Sequence, residues 1–142
     1  ENILEDEPDY GKAHCQLACI YYYELREYEK AKKHFELAIA FAPDFPDTYM
    51  DYLNLLVNTE DYEAAEKLAK KALTVKGIDK TRVFCELGAL YEKRREWDKA
   101  LQNFREGYLH AMREYELETC EKNIERVKAK KKSMEKYQYL LS

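Results

Sequence analysis

The chain has 142 residues, of which 46% are apolar and 37% are charged, and its formal net charge is −4. This length and apolar content are enough for one packed domain. No run approaches the roughly 18 apolar residues that a membrane span needs, so we predict no membrane-spanning helix. The sequence also has no glycine-rich phosphate loop and no serine in a nucleophile elbow, and its three histidines are scattered. We therefore predict that the protein is not an enzyme.

The four cysteines do not have the spacing of a disulfide framework. A chain of this length does not depend on disulfides, so we predict reduced thiols and a cytoplasmic protein. Cys15 and Cys19 are four residues apart and follow His14, which places two thiols on one helix face. A zinc site needs three or four ligands, and buried cysteine is a common apolar filler. We therefore predict no metal and no cofactor.

In chain order, residues 1–10 are predicted to be the remnant of a preceding helix and its turn. The motif at Pro8 (PDY) repeats the motif at Pro43 (PDF). Proline disfavours helix at the residue before it, so both motifs indicate helix ends. The sequence opens on Glu1 and shows no signal peptide, and we expect it to be a truncated part of a longer solenoid; whether a signal peptide was also removed stays open.

Most of the chain carries small and large apolar residues in a pattern that recurs every 34 or 35 residues. The copy nearest the C-terminus indicates two short helices folded back on each other, with Gly88 and Ala100 at their contact. The equivalents of Ala100 in the earlier copies are Ala65 and Ala31, and the first copy fits only with one residue inserted before Tyr28. One such helix pair cannot hide its apolar face alone, so it needs neighbouring copies.

This pattern resembles the tetratricopeptide repeat (TPR) family from about residue 11 to residue 112. The resemblance implies an all-α fold, a right-handed superhelical stack of helix–turn–helix repeats. We assign the first repeat to residues 11–45, the second to 46–80 and the third to 81–114. Pro46 suits a first helical turn, and Gly77 is predicted to close the second repeat in the left-handed conformation. Gly77 and Met112 depart from the family, which usually has proline there.

In TPR proteins the first helix of each repeat lines a concave groove that holds a peptide or a partner helix. The resemblance therefore implies candidate groove residues at Lys12, Gln16, Tyr22, Tyr23, Asp47, Met50, Asp51, Asn54, Asn58, Arg82, Glu86 and Lys93. This mixture of aromatic, amide and charged side chains suits an extended or helical protein segment. Some TPR domains clamp the terminal carboxylate of chaperones with basic residues. The equivalent positions here include two acids, so that clamp is not carried over.

Residues 115–142 contain no glycine or proline and are predicted to form one long helix that caps the stack. Its apolar residues form a narrow seam at Leu117, Cys120, Ile124, Val127 and Met134. Residues 122–142 carry a net charge of +5, from seven basic and two acidic residues, against −9 for the rest of the chain. We expect this helix to dock on the third repeat of its own chain, which gives a monomer or a weak homodimer.

The predicted function is a non-catalytic interaction module whose partner is another protein or peptide segment rather than a small-molecule substrate. One rival is a structural segment of a longer TPR array that has no ligand of its own. A second rival is nucleic-acid or anionic-membrane contact through the basic C-terminal helix. We favour that rival least, because its aromatic residues, Tyr137 and Tyr139, both lie beyond the run of lysines.

Overall fold

A computed structural model describes residues 8–142, and all the regular structure in that range is helical. The helices are α1 (Pro8–Cys19), a π-helix (Ile20–Glu24), α2 (Tyr28–Phe41), α3 (Pro46–Asn58), α4 (Tyr62–Ala72), α5 (Lys80–Lys93), α6 (Trp97–His110) and α7 (Glu114–Leu141). The predicted all-α stack of helical repeats is confirmed. The helices belong to two compact units, one ending at Ile78 and one beginning at Asp79. Within the described range, every helix is too short or too polar to cross a membrane.

The predicted end of an earlier helix at residues 1–7 lies outside the described range. Pro8 itself begins α1, whereas Pro43 lies in the turn between α2 and α3. The two similar motifs therefore have different structures. A proline is tolerated at the first helical position because its missing N–H has no intrahelical partner there, and Pro46 begins α3 as predicted.

The core of the first unit is built on small side chains at the helix contacts. Helix α1 packs against α2, α2 against α3, and α3 against α4. Six alanines of these helices are completely buried: Ala18, Ala31, Ala38, Ala65, Ala69 and Ala72. Small side chains allow the helix backbones to approach closely, and larger buried side chains such as Phe35 and Leu53 fill the space around them.

The π-helix accounts for the extra residue in the first repeat. Between equivalent buried positions, the chain advances 12 residues from Leu53 to Ala65 but 13 from Ala18 to Ala31. In the π-helix, the N–H of Leu25 donates to the carbonyl oxygen five residues earlier, at 3.1 Å. A π-helix takes up a single additional residue without breaking the helix. For the residues that follow, the sequence position that faces the core is therefore shifted by one.

Each helix–helix turn within a repeat contains a residue in the left-handed conformation. These residues are Arg26, Glu60 and Arg95, with φ values of 54°, 59° and 60°. They lie 34 and 35 residues apart, and each precedes the N-cap of the next helix. None of them is glycine, so each turn carries the steric cost of a Cβ atom at positive φ.

Replacing Arg26 by glycine is expected to stabilise the first unit by about 0.5–1 kcal/mol, because glycine adopts positive φ without that cost. Urea unfolding of the full chain measures the change. The matched control is Lys33→Gly, at an exposed position inside α2, which should destabilise by about 1 kcal/mol. Equal destabilisation by both substitutions would contradict the turn geometry.

The second unit pairs α5 with α6 and covers the pair with α7. Gly88 of α5 lies against the ring of Phe104 in α6, and both residues are buried. In α7, Cys120 and Val127 are 0% exposed, so the middle of the predicted apolar seam packs on α5 and α6 of the same chain. Helix α7 begins where the Glu116 carboxylate accepts a hydrogen bond from the N–H of Arg113, at 3.1 Å.

An ion-pair cluster also attaches α7 to α5. Arg126 donates two hydrogen bonds to the Glu92 carboxylate, at 2.8 and 2.7 Å, and Lys130 donates a third at 2.7 Å. The Glu92 side chain is only 10% exposed. The hydrogen bonds from Arg126 lower the pKa of Glu92 to about 2, although burial opposes that shift. Three charge-assisted bonds to one carboxylate therefore hold α7 in one position.

Candidate functional site

A hydrogen-bonded cluster joins the π-helix to α3 in the first unit. The hydroxyl of Tyr22 donates to the side-chain oxygen of Asn54 at 2.6 Å. The Asn58 amide donates to the Tyr22 hydroxyl at 2.6 Å and to the same oxygen of Asn54 at 3.1 Å. All three are predicted groove residues, and the structure brings them together. Such a connected set holds each side chain in a defined position.

A second cluster joins Cys19, at the end of α1, and Tyr23, in the π-helix, to Asp51 of α3. Asp51 accepts a hydrogen bond from the Tyr23 hydroxyl at 3.0 Å and one from the Cys19 thiol at 3.3 Å. Burial raises the pKa of the Cys19 thiol and of the Tyr23 hydroxyl, and the Asp51 carboxylate adds to both shifts. Tyr23 nevertheless remains 52% exposed, so one side of its ring faces solvent.

Two predicted groove residues have little surface to offer a ligand. Tyr22 is 6% exposed and Met50 is 5% exposed. The resemblance to TPR proteins placed Tyr22 in the groove. The π-helix advances the face by one residue, so Tyr22 points inward while Tyr21 is partly exposed. Met50 belongs to a helix with eight buried residues, and its side chain is part of the core rather than of a groove.

The remaining predicted residues of the first unit are at the surface. Lys12, Gln16 and Asp47 are exposed, and the ammonium group of Lys12 lies 5.2 Å from the centre of the Phe45 ring. This distance suits a cation–π contact. Together with Tyr23 and Asn58, these residues give the first helices of the two repeats an accessible polar surface.

Arg82, Glu86 and Lys93 lie on α5, in the second unit. Arg82 and Lys93 are exposed, and Glu86 is partly exposed. The backbone N–H of Arg82 donates to the Asp79 carboxylate at 3.2 Å, which caps the start of α5. These three residues belong to the second unit, whereas the two hydrogen-bonded clusters belong to the first.

The histidine that precedes the two N-terminal cysteines lies away from their thiols. The Nδ1 atom of His14 is 3.0 Å from Nδ1 of His34, and the two rings are stacked. Instead, Asp51 joins Cys15 and Cys19, and the three ligand atoms lie within 4.8 Å of one another. Asp51 is one of the predicted groove residues, but spacing within a single helix cannot show that its carboxylate meets the two thiols. The repeat could have indicated this contact. Cys19–Asp51 and Tyr22–Asn54 are both hydrogen-bonded pairs, and each pair joins equivalent helices across the same separation of 32 residues.

The basic C-terminal helix is partly neutralised within its own unit. Arg126 and Lys130 bind Glu92, and the Lys131 ammonium group donates to Asp98 at 2.7 Å. Three of the cations counted in the predicted basic surface therefore have acidic partners on α5 and α6. This arrangement lowers the positive charge that α7 presents to a polyanion.

Comparison with protein families gives one matching model, described as tetratricopeptide repeat. It matches twice, at residues 11–45 and 46–78. These ranges contain most of α1 and all of the helices from α2 to α4. None of the curated proteins compared with the chain matches it.

Proposed function

This chain is a tetratricopeptide-repeat protein, and we propose that it is a non-catalytic module that binds a peptide or partner helix along α1, the π-helix and α3. TPR repeats generally mediate protein–protein interactions, and the family consists typically of non-enzymatic scaffolds. Within the first unit, the proposed binding surface consists of the accessible members of the predicted set: Lys12, Gln16, Tyr23, Asp47 and Asn58. We call this set the groove surface.

The observation that carries the proposal is the preorganised amide of Asn58. Both of its hydrogen-bond donors are used within the cluster with Tyr22 and Asn54. Its carbonyl oxygen has no partner among residues 8–142, and the residue is exposed. A fixed acceptor of this kind suits a backbone N–H of a bound peptide, because little side-chain entropy is lost on binding.

The neighbouring side chains define the kind of ligand. Tyr23 offers an aromatic face whose hydroxyl is already held by Asp51, at 3.0 Å. Rigid tyrosines give a large contact area at a small entropic cost. Lys12 and Asp47 carry opposite charges, so the groove surface has no strong net charge. We therefore propose a peptide with an apolar or aromatic anchor beside a polar backbone stretch, rather than a strongly charged one.

The test is selection of peptides from a random library on the full chain, followed by affinity measurement for the enriched sequences. We expect Tyr23→Ala and Asn58→Ala each to weaken binding by about tenfold or more, since each removes a contact worth at least about 1.4 kcal/mol. Matched controls are Tyr137→Ala, at a tyrosine that is 60% exposed, and Asn103→Ala, at a half-buried position on α6. Both controls should bind as the unaltered chain does.

Two outcomes would contradict the proposal. The first is an enriched peptide whose affinity is unchanged by Tyr23→Ala and Asn58→Ala. The second is a selection that enriches no sequence, while circular dichroism shows that the chain is folded. The rival role of α7 as a polyanion-binding helix predicts steep salt dependence instead, because each phosphate contact releases counterions. The pairing of Arg126, Lys130 and Lys131 weighs against that role.

A further inference from the structure

We propose that Cys15, Cys19 and Asp51 form a binding site for a divalent thiophilic metal ion of the zinc class. This inference is independent of peptide binding and concerns a different chemistry. The sequence alone provides two thiols on one helix face, which is half of a zinc site. The fold supplies a third ligand from α3, and the three ligand atoms lie within 4.8 Å of one another.

The separation of these atoms fits tetrahedral coordination. With Zn–S near 2.3 Å and Zn–O near 2.0 Å, a tetrahedral ion holds a sulfur and an oxygen ligand about 3.5 Å apart. The Cys19 sulfur lies 3.3 Å from the nearer carboxylate oxygen of Asp51. Only small side-chain adjustments are therefore needed to admit an ion. Three protein ligands leave a fourth position for water, as in open zinc sites.

A buried hydroxyl adjoins the proposed site. Thr48 is 0% exposed, and its Oγ1 atom lies beside the thiol of Cys15. A metal-bound thiolate is a good hydrogen-bond acceptor for a hydroxyl group, so Thr48 is placed to orient the Cys15 ligand.

The carboxylate ligand is oriented by a neighbour of its own. The Tyr23 hydroxyl donates to the oxygen of Asp51 that faces away from Cys19, at 3.0 Å. The other oxygen is thereby directed at the thiol. Outer hydrogen bonds of this kind fix the orientation of metal ligands in proteins. The site thus has a supporting residue for the carboxylate, Tyr23, and one for the buried thiol, Thr48.

The ligand set selects the ion. Two thiolates and one carboxylate suit zinc and its thiophilic relatives, whereas calcium and magnesium require oxygen ligands. On binding, each S–H bond breaks, a metal–sulfur bond forms, and the two protons are released to solvent. No electrons are transferred, so the step needs neither an oxidant nor a reductant. The Cys19 proton now donated to Asp51 is one of the two released.

The experiment titrates the reduced full chain with Co²⁺ as a spectroscopic probe and then with Zn²⁺ as competitor. We expect a thiolate-to-cobalt charge-transfer band and tetrahedral visible bands, with one ion bound per chain and displacement by Zn²⁺. Changing a residue that only orients a metal ligand typically costs about 10–100-fold in affinity, so Cys19→Ser and Asp51→Asn, which alter ligands themselves, should each weaken binding by at least tenfold. Zn²⁺ should raise the Tm of the unaltered chain and not that of these variants.

The second thiol pair provides the matched control. Cys85 and Cys120 lie with their sulfur atoms 3.7 Å apart in the second unit. The double variant Cys85→Ser/Cys120→Ser should keep the cobalt bands and the zinc-induced rise in Tm. The proposal is overturned if the bands are absent from the unaltered chain at millimolar Co²⁺. It is also overturned if they persist in folded Cys19→Ser and Asp51→Asn variants, or disappear only in the control. Peptide binding by the groove surface is measured without metal, so the two proposals can fail separately.

Discussion

Replacing Glu92 by glutamine is expected to destabilise the second unit by about 1–3 kcal/mol, the usual range for hydrogen bonds to a charged group. Glutamine keeps the shape of the side chain but removes the charge that Arg126 and Lys130 share. The side chain at this position is 10% exposed, so water compensates only in part. Chemical unfolding followed by a probe in the second unit, the fluorescence of Trp97, measures the change.

The same carboxylate gives the stability a defined pH dependence. The folded pKa of Glu92 is lowered to about 2, mainly by the hydrogen bonds from Arg126, whereas an unfolded glutamate titrates near 4.3. The unfolded state therefore binds the proton more readily. The stabilisation is complete above the unfolded pKa and is lost as the pH falls from about 4.3 towards about 2. The unaltered chain should lose more stability across this window than Glu92→Gln does.

Asp98→Asn is the control for this pair of measurements. Asp98 also accepts a hydrogen bond from a lysine of α7, Lys131, but its side chain is 82% exposed. An exposed ion pair is screened by solvent and contributes little, so the control should leave stability nearly unchanged. If Glu92→Gln behaved like Asp98→Asn, the ion-pair cluster would not attach α7 to α5.

The helices could be predicted from the sequence because their contacts depend on side-chain size. A small residue is required wherever two helix backbones approach, and that requirement recurs with each repeat. Ala31, Ala65 and Ala100 were found in this way, and all three are completely buried. A larger side chain at such a contact would overpack the core. Local periodicity therefore carries most of the information about the fold.

The orientation of Tyr22 could not be predicted in the same way. The extra residue of the first repeat was visible in the sequence, but not the place where the chain takes it up. An insertion in the turn would have left Tyr22 in the groove. The structure takes it up in the π-helix at residues 20–24, and this advances Tyr22 into the interior. A shift of one residue along the helix therefore decides whether Tyr21 or Tyr22 is buried.

The candidate metal ligands could be predicted from the sequence only in part. Cys15 and Cys19 follow from helical spacing, because residues four apart share a face. Asp51 lies 32 residues after Cys19, and only the packing of α1 and the π-helix beside α3 brings it close. The sequence has 28 acidic residues, and most of those that the structure describes are exposed to solvent. Composition alone therefore cannot identify the one that meets two thiols.

Replacing Gly88 by alanine is expected to destabilise the second unit by about 1–3 kcal/mol, although alanine is the better helix former. A Cβ atom at this position would lie 2.7 Å from two atoms of the Phe104 ring, which is closer than van der Waals contact allows. Phe104 is 1% exposed, so its ring has little room to move. The unfolding free energy, followed by Trp97 fluorescence, tests this expectation.

A double-mutant cycle separates this contact from general effects on α5. Phe104→Leu alone leaves a cavity and should destabilise the unit, because the buried neighbours lose their contacts with the ring. In the Gly88→Ala background the smaller leucine also relieves the clash, so the double variant should be more stable than the sum of the single changes predicts. Residues in direct contact show coupling energies of about 0.5–3 kcal/mol. Strict additivity would mean that Gly88 and Phe104 do not touch, and the proposed register of α5 on α6 would then be wrong.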